Sequence, residues 1–488
     1  MSLVRAYTDQ DSWINDSNTA SNFGLSPILE VWNKYDIINE KKNWARILVR
    51  FSLTSLENKI KNEGLYPDPR TNDSVSAYMY MFNAEHGENQ ASDFDIWAFP
   101  LTASWIEGTG LDNDTYSHTG AVNAEYATNT FKWEDYTGSI SGAEAYIGHD
   151  TGDYDSNSSS MYFVHGEEDL KLDVTNWFKD YLDGSSANNG FLIRMSDVQE
   201  AKTDSEATAA GVPTSVTAVS YFTKKFYSRE TNTRKRPYFQ LEWPGEVKDD
   251  RGFIHFSRSG DLYFYNIVDG VYEDLDGTNK FPGFVTLSAD GVAIEPSNLT
   301  ASRVSTGVYK INIGTAQDDA ENIFGGIDIS LSSTVNFTDT WSVTSAGFTT
   351  SQVFNLDVSL PNNGNDYVST SNYHINLPNL RSTYDRGYIG KLRIFSIDKA
   401  TKFVSSTGSS TAMNSFIFKK GTFEIREKAT NMIEIPETPL SYDKDGNYFE
   451  LNTNNLYPDI EYKVLLKLNT RNETIVMDYP DRWNFKVL

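Results

Sequence analysis

Short runs of alternating apolar and polar residues, each cut off by Gly, Asn, Asp or Ser, recur along this whole chain and leave it little choice of secondary structure. Ala45–Phe51, Val75–Phe82, Gly190–Arg194, Asp261–Tyr265, Val308–Ile313, Lys391–Phe395 and Tyr462–Leu468 all have this form. Successive side chains of a strand point to opposite faces, so each run presents one face to a core. Aromatic residues make up 14% of the chain, with 28 Tyr and 28 Phe, and suit a pleated, half-buried surface. The expected fold class is all-β.

One segment has the other period. In Asp173–Gly184 the apolar positions are Val174, Trp177, Phe178, Tyr181 and Leu182, the stripe of an amphipathic helix. Asp173 is placed to accept the free N–H groups of the first turn, and Gly184 to take the left-handed exit. A shorter helical turn is expected after Thr54, carrying Leu56 and Ile60 and ending at Gly64.

A chain of 488 residues is too long for one ordinary domain. Residues 244–252 are polar, carry Pro and Gly, and follow the strand-like Leu241-Glu242-Trp243, so a first linker is expected there. A second break is expected near 344–350. Phe337-Thr338-Asp339-Thr340-Trp341 and Tyr479-Pro480-Asp481-Arg482-Trp483 share an aromatic-x-Asp-x-Trp pattern, which suggests two related sandwiches in tandem. The expected domains are 1–245, 250–345 and 348–488, the last two of a size that suits immunoglobulin-like sandwiches.

The charge balance of −25 argues against nucleic acid or an anionic membrane as partner, because like charges repel. No stretch reaches the ~18 apolar residues of a membrane span. The start, Met1-Ser2-Leu3-Val4-Arg5, shows no apolar core of a signal peptide, so export by that route is not expected. With no cysteine, disulfides and thiolate chemistry are excluded. The six histidines (86, 118, 149, 165, 255, 374) are scattered, none at metal-ligand spacing from another. Neither a Gly-x-Ser-x-Gly elbow, a His-Glu-x-x-His helix nor a P-loop is present. Neighbouring carboxylates such as Glu167-Glu168 and Asp249-Asp250 point to opposite faces of a strand, so the chain is not expected to be an enzyme.

Three groups of residues are candidates for binding. Asp153, Asp155 and Asn157 have the Asp-x-Asp-x-Asn opening of a calcium loop, and Asp443-Lys444-Asp445-Gly446-Asn447 repeats it, although neither has Glu at the twelfth position. The second is also a hairpin turn signal. No other cofactor is expected. Lys224, Lys225, Arg229, Arg234, Lys235 and Arg236 form a basic cluster in an acidic chain, either a docking patch for an acidic neighbour or charged faces that blunt a sheet edge. Trp97, Trp105, Tyr116, Trp133 and Tyr154 fall in loop-like sequence and are candidates for a sugar-stacking platform, with Trp105 equally a core residue.

An ordered set of segments in the first 243 residues resembles the DNRLRE-type carbohydrate-binding module, related to family 96 of such modules. The segments are Asp11-Ser12-Trp13-Ile14, Asn18–Gly24, Ile28–Val31, Arg46–Leu53, Ser104-Trp105-Ile106-Glu107-Gly108, the helix with Gly190–Ile193, and Ser228-Arg229-Glu230 with Arg236–Trp243. The resemblance implies a jelly-roll-like sandwich for the N-terminal half. Insertions at roughly 111–160 and 200–218 depart from the family pattern. Such a module without an export signal, followed by immunoglobulin-like domains, resembles accessory structural proteins of tailed bacteriophages. It implies a non-catalytic virion component of the neck, tail, fibre or head decoration, assembled in the host cytoplasm, that binds other virion proteins and forms homo-oligomers. The alternative it leaves open is an adhesin for host glycans.

Overall fold

A computed structural model describes residues 2–36, 41–63, 68–87, 92–111, 120–129, 131, 133, 158–200, 222–231, 234–251, 254–255, 260–268, 271–275, 285–289, 292–293, 301–313, 334–345, 348–359, 373–398, 415–469 and 474–488. The fold is all-β. One compact unit comprises Leu3–Glu63 and Pro67–Trp243, and a second is built on Pro244–Leu488.

The first unit contains β1 (Ser2–Asn15), β2 (Ile28–Asp36), β3 (Lys41–Phe51), β4 (Ser76–Met81), β5 (Phe94–Pro100), β6 (Ser159–Phe163), β7 (Leu170–Asp173), β8 (Phe191–Met195), β9 (Phe222–Tyr227) and β10 (Tyr238–Trp243). Its helices are α1 (Thr54–Asn58), continued by a π-helical turn Lys59–Glu63, then α2 (Thr175–Asp183) and α3 (Asp197–Glu200). The strands run in the order β6-β5-β8-β3-β1-β10-β4-β7, with β2 paired to β3 and β9. The long β1 belongs to two layers. From Thr8 to Asn15 it pairs antiparallel with β3, and it is also the neighbour of β10. The sequence therefore folds into a jelly-roll-like sandwich, β7-β4-β10-β1 against β6-β5-β8-β3 with β2 and β9.

The alternation of β4 turns Ala77, Met79 and Met81 inward and leaves Ser76, Tyr78 and Tyr80 half-buried outside. Between the layers, Phe51 meets Phe239 at 6.2 Å and Phe191 at 6.5 Å. Helix α2 packs on the same aromatic group, Phe178 lying 4.9 Å from Phe239 and Trp177 4.6 Å from Phe191. Its ends follow the sequence reading: Asp173 Oδ1 accepts the Thr175 N–H at 2.9 Å, and Gly184 has φ +81°.

In the second unit, β11 (Ile254–His255), β12 (Gly260–Tyr265), β13 (Ile267–Val268), β14 (Val271–Tyr272), β15 (Val285–Ala289), β16 (Val292–Ala293), β17 (Ser302–Ser305), β18 (Val308–Ile313), β19 (Thr334–Ser345) and β20 (Phe348–Ser359) make the first sandwich. A sheet β11-β20-β19-β15-β16 faces a sheet β12-β18-β17 across a core of Leu262, Phe264, Tyr309, Ile311, Phe337, Trp341 and Leu356. The second sandwich has β21 (Tyr373–Asn376), β22 (Thr383–Tyr384), β23 (Ile389–Asp398), β24 (Lys420–Glu427), β25 (Ile433–Pro439), β26 (Ser441–Asp443), β27 (Gly446–Asn452), β28 (Glu461–Asn469), β29 (Thr474–Asp478) and β30 (Asn484–Val487). Its sheets are β21-β23-β27-β26 and β22-β30-β28-β24-β25, with β29 on β28.

Two expectations are corrected here. The break expected near 344–350 falls inside a hairpin: β19 and β20 pair over their full length, from Thr334–Ser359 to Ser345–Phe348. Leu356 of β20 is a member of the first sandwich's core, so that sandwich runs through Ser359. The shared aromatic-x-Asp-x-Trp pattern is not a structural repeat. Trp341 is in mid-strand, where its indole N–H donates to Asp339 at 2.8 Å, whereas Trp483 lies in the turn before β30, edge-on to Tyr479. After the unit boundary at Pro244, Val247 and Asp249 exchange backbone hydrogen bonds with Tyr442 of β26.

Candidate functional site

Four stretches far apart in the sequence converge on one knot of side chains. Asp11 comes from β1, Asn22 and Gly24 from the following loop, Glu107 to Gly110 from the loop after β5, and Arg229 from the turn after β9. The Asp11 N–H donates to Glu107 Oε1 at 2.8 Å, and the Arg229 N–H to Asp11 Oδ2 at 2.7 Å. The Arg229 guanidinium reaches Glu107 Oε2 at 2.8 Å and the Asp9 carbonyl at 2.7 Å. Asn22 ties the layer above, its amide donating to the carbonyls of Glu107 and Val122 at 2.7 Å and its oxygen accepting from the Gly110 N–H at 2.7 Å. Gly24 and Gly110 are needed for this close approach, since a Cβ on either would strike the backbone of Glu107 or Asn22. Burial pushes the Asp11 carboxyl up to about 8, and burial also raises Glu107. Asp11 Oδ1 is buried without a hydrogen-bond partner. The knot fastens loops, with Asp11 only 1% exposed.

The proposed aromatic platform is not assembled. Trp105 and Trp133 are buried at 3% and 1%, and their indole N–H groups donate to the Asn189 and Asn123 carbonyls, both at 2.9 Å. They belong to a second core in which Leu101, Trp105, Val122, Ala124, Ala127 and Trp133 cover the outer face of β1, β3 and β8 at Ile14, Trp44, Leu48 and Leu192. That cover is why β8 is buried at every position rather than alternating. Trp97 is half-buried on β5 and stacks on Phe99 at 6.1 Å. Tyr116 and Tyr154 lie outside the described residues, as do Asp153, Asp155 and Asn157. The similar stretch at Asp443–Asn447 is the tight β26–β27 hairpin, with Gly446 at φ +128° and Asp443 Oδ1 accepting the Asp445 N–H at 2.9 Å. No group of three His, Asp or Glu residues suited to a metal occurs among the described residues.

The basic cluster does not come together as an exposed patch either. The alternation of β9 sends Lys224 inward, where its ammonium donates to Asn83 Oδ1, the Gly166 carbonyl and the Glu168 carbonyl at 2.7–2.8 Å. Burial pushes it down to about 8. Lys225 pairs with Glu30 at 3.1 Å, and Arg229 is committed to the knot. Lys235 and Arg236 lie over the rings of Tyr227 and Tyr7, and Arg234 is half-buried. The sequence reading grouped these residues by adjacency, whereas the strand period separates them.

What that reading missed is the outer face of the β7-β4-β10-β1 layer. Tyr238 stands opposite Tyr80, and their rings stack at 4.9 Å. Tyr78 and Tyr7 extend the row, 6.4 Å from Tyr80 and 6.3 Å from Tyr238. Arg5 sits over Tyr238 at 4.4 Å, Arg236 over Tyr7 at 4.7 Å, and Lys171 over Tyr78 and Tyr80 at 4.1 and 5.3 Å. Arg5 also donates to Gln240 at 2.8 Å, and Gln240 to Glu242 at 2.6 Å. The signal was in the sequence, because Tyr78 and Tyr80 are two apart and must share the face opposite Met79 and Met81.

No family model matches this chain, and no curated protein matches it. Among solved structures, titin domains Z1Z2 in complex with telethonin are 11% identical over 48% of this chain and 89% of that one, with a TM-score of 0.13. A DUF4785 family protein of Legionella pneumophila is 8% identical over 100% of this chain and 90% of that one, with a TM-score of 0.15. A putative membrane anchored protein of Corynebacterium diphtheriae is 7% identical over 100% and 97%, also at 0.15. Likenesses of this size carry no argument, and the all-β fold rests on the strands themselves.

Proposed function

We propose that this chain is a non-catalytic structural protein that works by protein–protein assembly, as an accessory component of a tailed-phage particle. The supporting observation is how the buried charge is used. Asp11 and Glu107 are held on Arg229, and Asp249 and Asp339 on Arg251, so each arginine ties together segments distant in sequence instead of lining an open cleft. Loops fixed in this way present a rigid surface, and rigid surfaces bind with little ordering cost. The two sandwiches of the second unit are stapled by the same means. The Tyr442 hydroxyl donates to Asp250 at 3.0 Å, and Lys391 lies over both Tyr265 and Tyr448.

Proteomics of the particle fraction from the source, beside the mass of the purified chain in solution, tests this reading. Co-sedimentation with particles supports it, and a chain absent from particles overturns it. The glycan-adhesin reading has one observation in its favour, the outward row of tyrosines. A glycan array probed with the wild-type chain and Tyr78→Ala separates the two.

A further inference from the structure

We propose that the outer face of the β7-β4-β10-β1 layer is the docking surface for a second copy of this chain, engaged through carboxylates of that copy. This deepens the assembly reading and rests on it. Two chains of net charge −25 repel at almost every mutual orientation, so self-association is confined to surface where the local sign is reversed. This face supplies such a surface: Arg5, Lys171 and Arg236 stand on its outside, each held over a tyrosine ring. Of its carboxylates, Glu242 is 8% exposed and bonded to the Gln240 amide, with Lys171 at 3.9 Å, while Asp173 is exposed and accepts the Thr175 N–H at the start of α2, so the three cations outnumber the two carboxylates.

The covering of the rings decides between a protein and a sugar. Stacking on a pyranose requires a bare ring face. Here Tyr80 and Tyr238 stack on each other with Lys171 and Arg5 also over their rings, and Tyr7 and Tyr78 each carry a cation over one face. A carboxylate needs no bare ring, because it approaches the cation from its solvent side. Lys171 keeps 47% of its side chain exposed for such a contact. A tyrosine and arginine surface of this kind matches the composition of protein interface cores. Because a basic face meets an acidic one elsewhere on the partner, the contact is heterologous and builds a ring or a filament rather than a two-fold dimer.

Sedimentation velocity of the full-length chain, from low to high salt and over a range of concentrations, tests this. The expected result is concentration-dependent association at low salt that weakens as salt screens the contact. The Arg5→Glu/Lys171→Glu double variant should associate at least about tenfold more weakly. Circular dichroism and the thermal midpoint check that this variant is folded, and the single Lys171→Gln variant, at the most exposed position, should show a smaller loss in the same direction. A chain that is monomeric under all these conditions, or a folded double variant that associates as strongly as wild type, overturns the proposal. So does a monomeric chain that binds an acidic polysaccharide and loses that binding in the double variant, which would make the face a glycan site. Co-sedimentation with particles by a monomeric chain would sink this inference and leave the assembly reading standing. Self-association through this face by a chain absent from particles would do the reverse.

Discussion

The two arginine-centred knots use one chemistry and reach different balances. In the second unit, Arg251 is 11% exposed and satisfies both of its carboxylates. Asp249 accepts from the Arg251 backbone at 3.1 Å and its guanidinium at 2.7 Å, while Asp339 accepts from the guanidinium at 2.8 Å and from Trp341 at 2.8 Å. In the first unit, Arg229 is 31% exposed, and Asp11 is reached only through the Arg229 backbone N–H, leaving Oδ1 buried and unbonded. Burial raises Asp249 to about 6, but Asp11 to about 8. An arginine offsets the desolvation of a carboxylate only as far as hydrogen bonds reach its oxygens. The half-reached group becomes the one that responds to pH.

The largest effect that sharpens this contrast is expected from Arg251→Ala. It leaves Asp249 and the fully buried Asp339 without their cation and should cost about 3–5 kcal/mol in chemical denaturation. Arg229→Ala should cost less, about 1–3 kcal/mol, because Asp11 already favours its protonated form and Arg229 is partly in water. An equal or greater cost for Arg229→Ala would break the comparison. Next comes Asp11→Asn, read from stability against pH. Both raised carboxyls bind a proton more tightly in the folded than in the unfolded chain, whose carboxylates titrate near about 4. Their destabilising contribution is absent below that value, grows as pH rises, and is complete above about 8 for Asp11 and about 6 for Asp249. Asp11→Asn should therefore flatten the loss of stability between about pH 6 and 8, with no matching gain near pH 4. A pH profile unchanged by Asp11→Asn would contradict the assignment. The smallest effect belongs to Glu230→Gln, on the exposed side of Arg229, which should stay within about 0.5 kcal/mol in thermal unfolding.

How legible these features were depended on whether their cause was local. Helix α2 could be read almost to the residue, since stripe, cap and left-handed exit all lie within Asp173–Gly184. The strands Val75–Phe82 and Tyr462–Leu468 were equally plain. Trp105 and Trp133 could not be placed, because the core that buries them is built over the back of a sheet by a stretch with loop composition. Nothing near Trp133 signals that Ile14 and Leu192 lie beneath it. The break assigned near 344–350 was placed after the aromatic-x-Asp-x-Trp stretch, whose pairing with β20 joins residues on both sides of it and could not be read from that stretch alone. Lys224 went astray for another reason: charge in a row of residues was read as charge on one face, against the period of the strand.

The sharing of β1 between two layers has a consequence for how this chain is made. Strand β1 leaves the ribosome long before the β10 that completes it, and Arg5 meets Gln240 across 235 residues of sequence. Until β10 emerges, the β1 edge has no partner, and closing so long a loop costs entropy before any contact rewards it. During synthesis the strands that precede β10 must therefore wait with exposed edges and aromatic faces, the state in which nascent β-proteins are most prone to aggregate. A chain arrested before Pro237 is expected to be a client for chaperones, whereas release of a few further residues lets the sandwich close in one cooperative step.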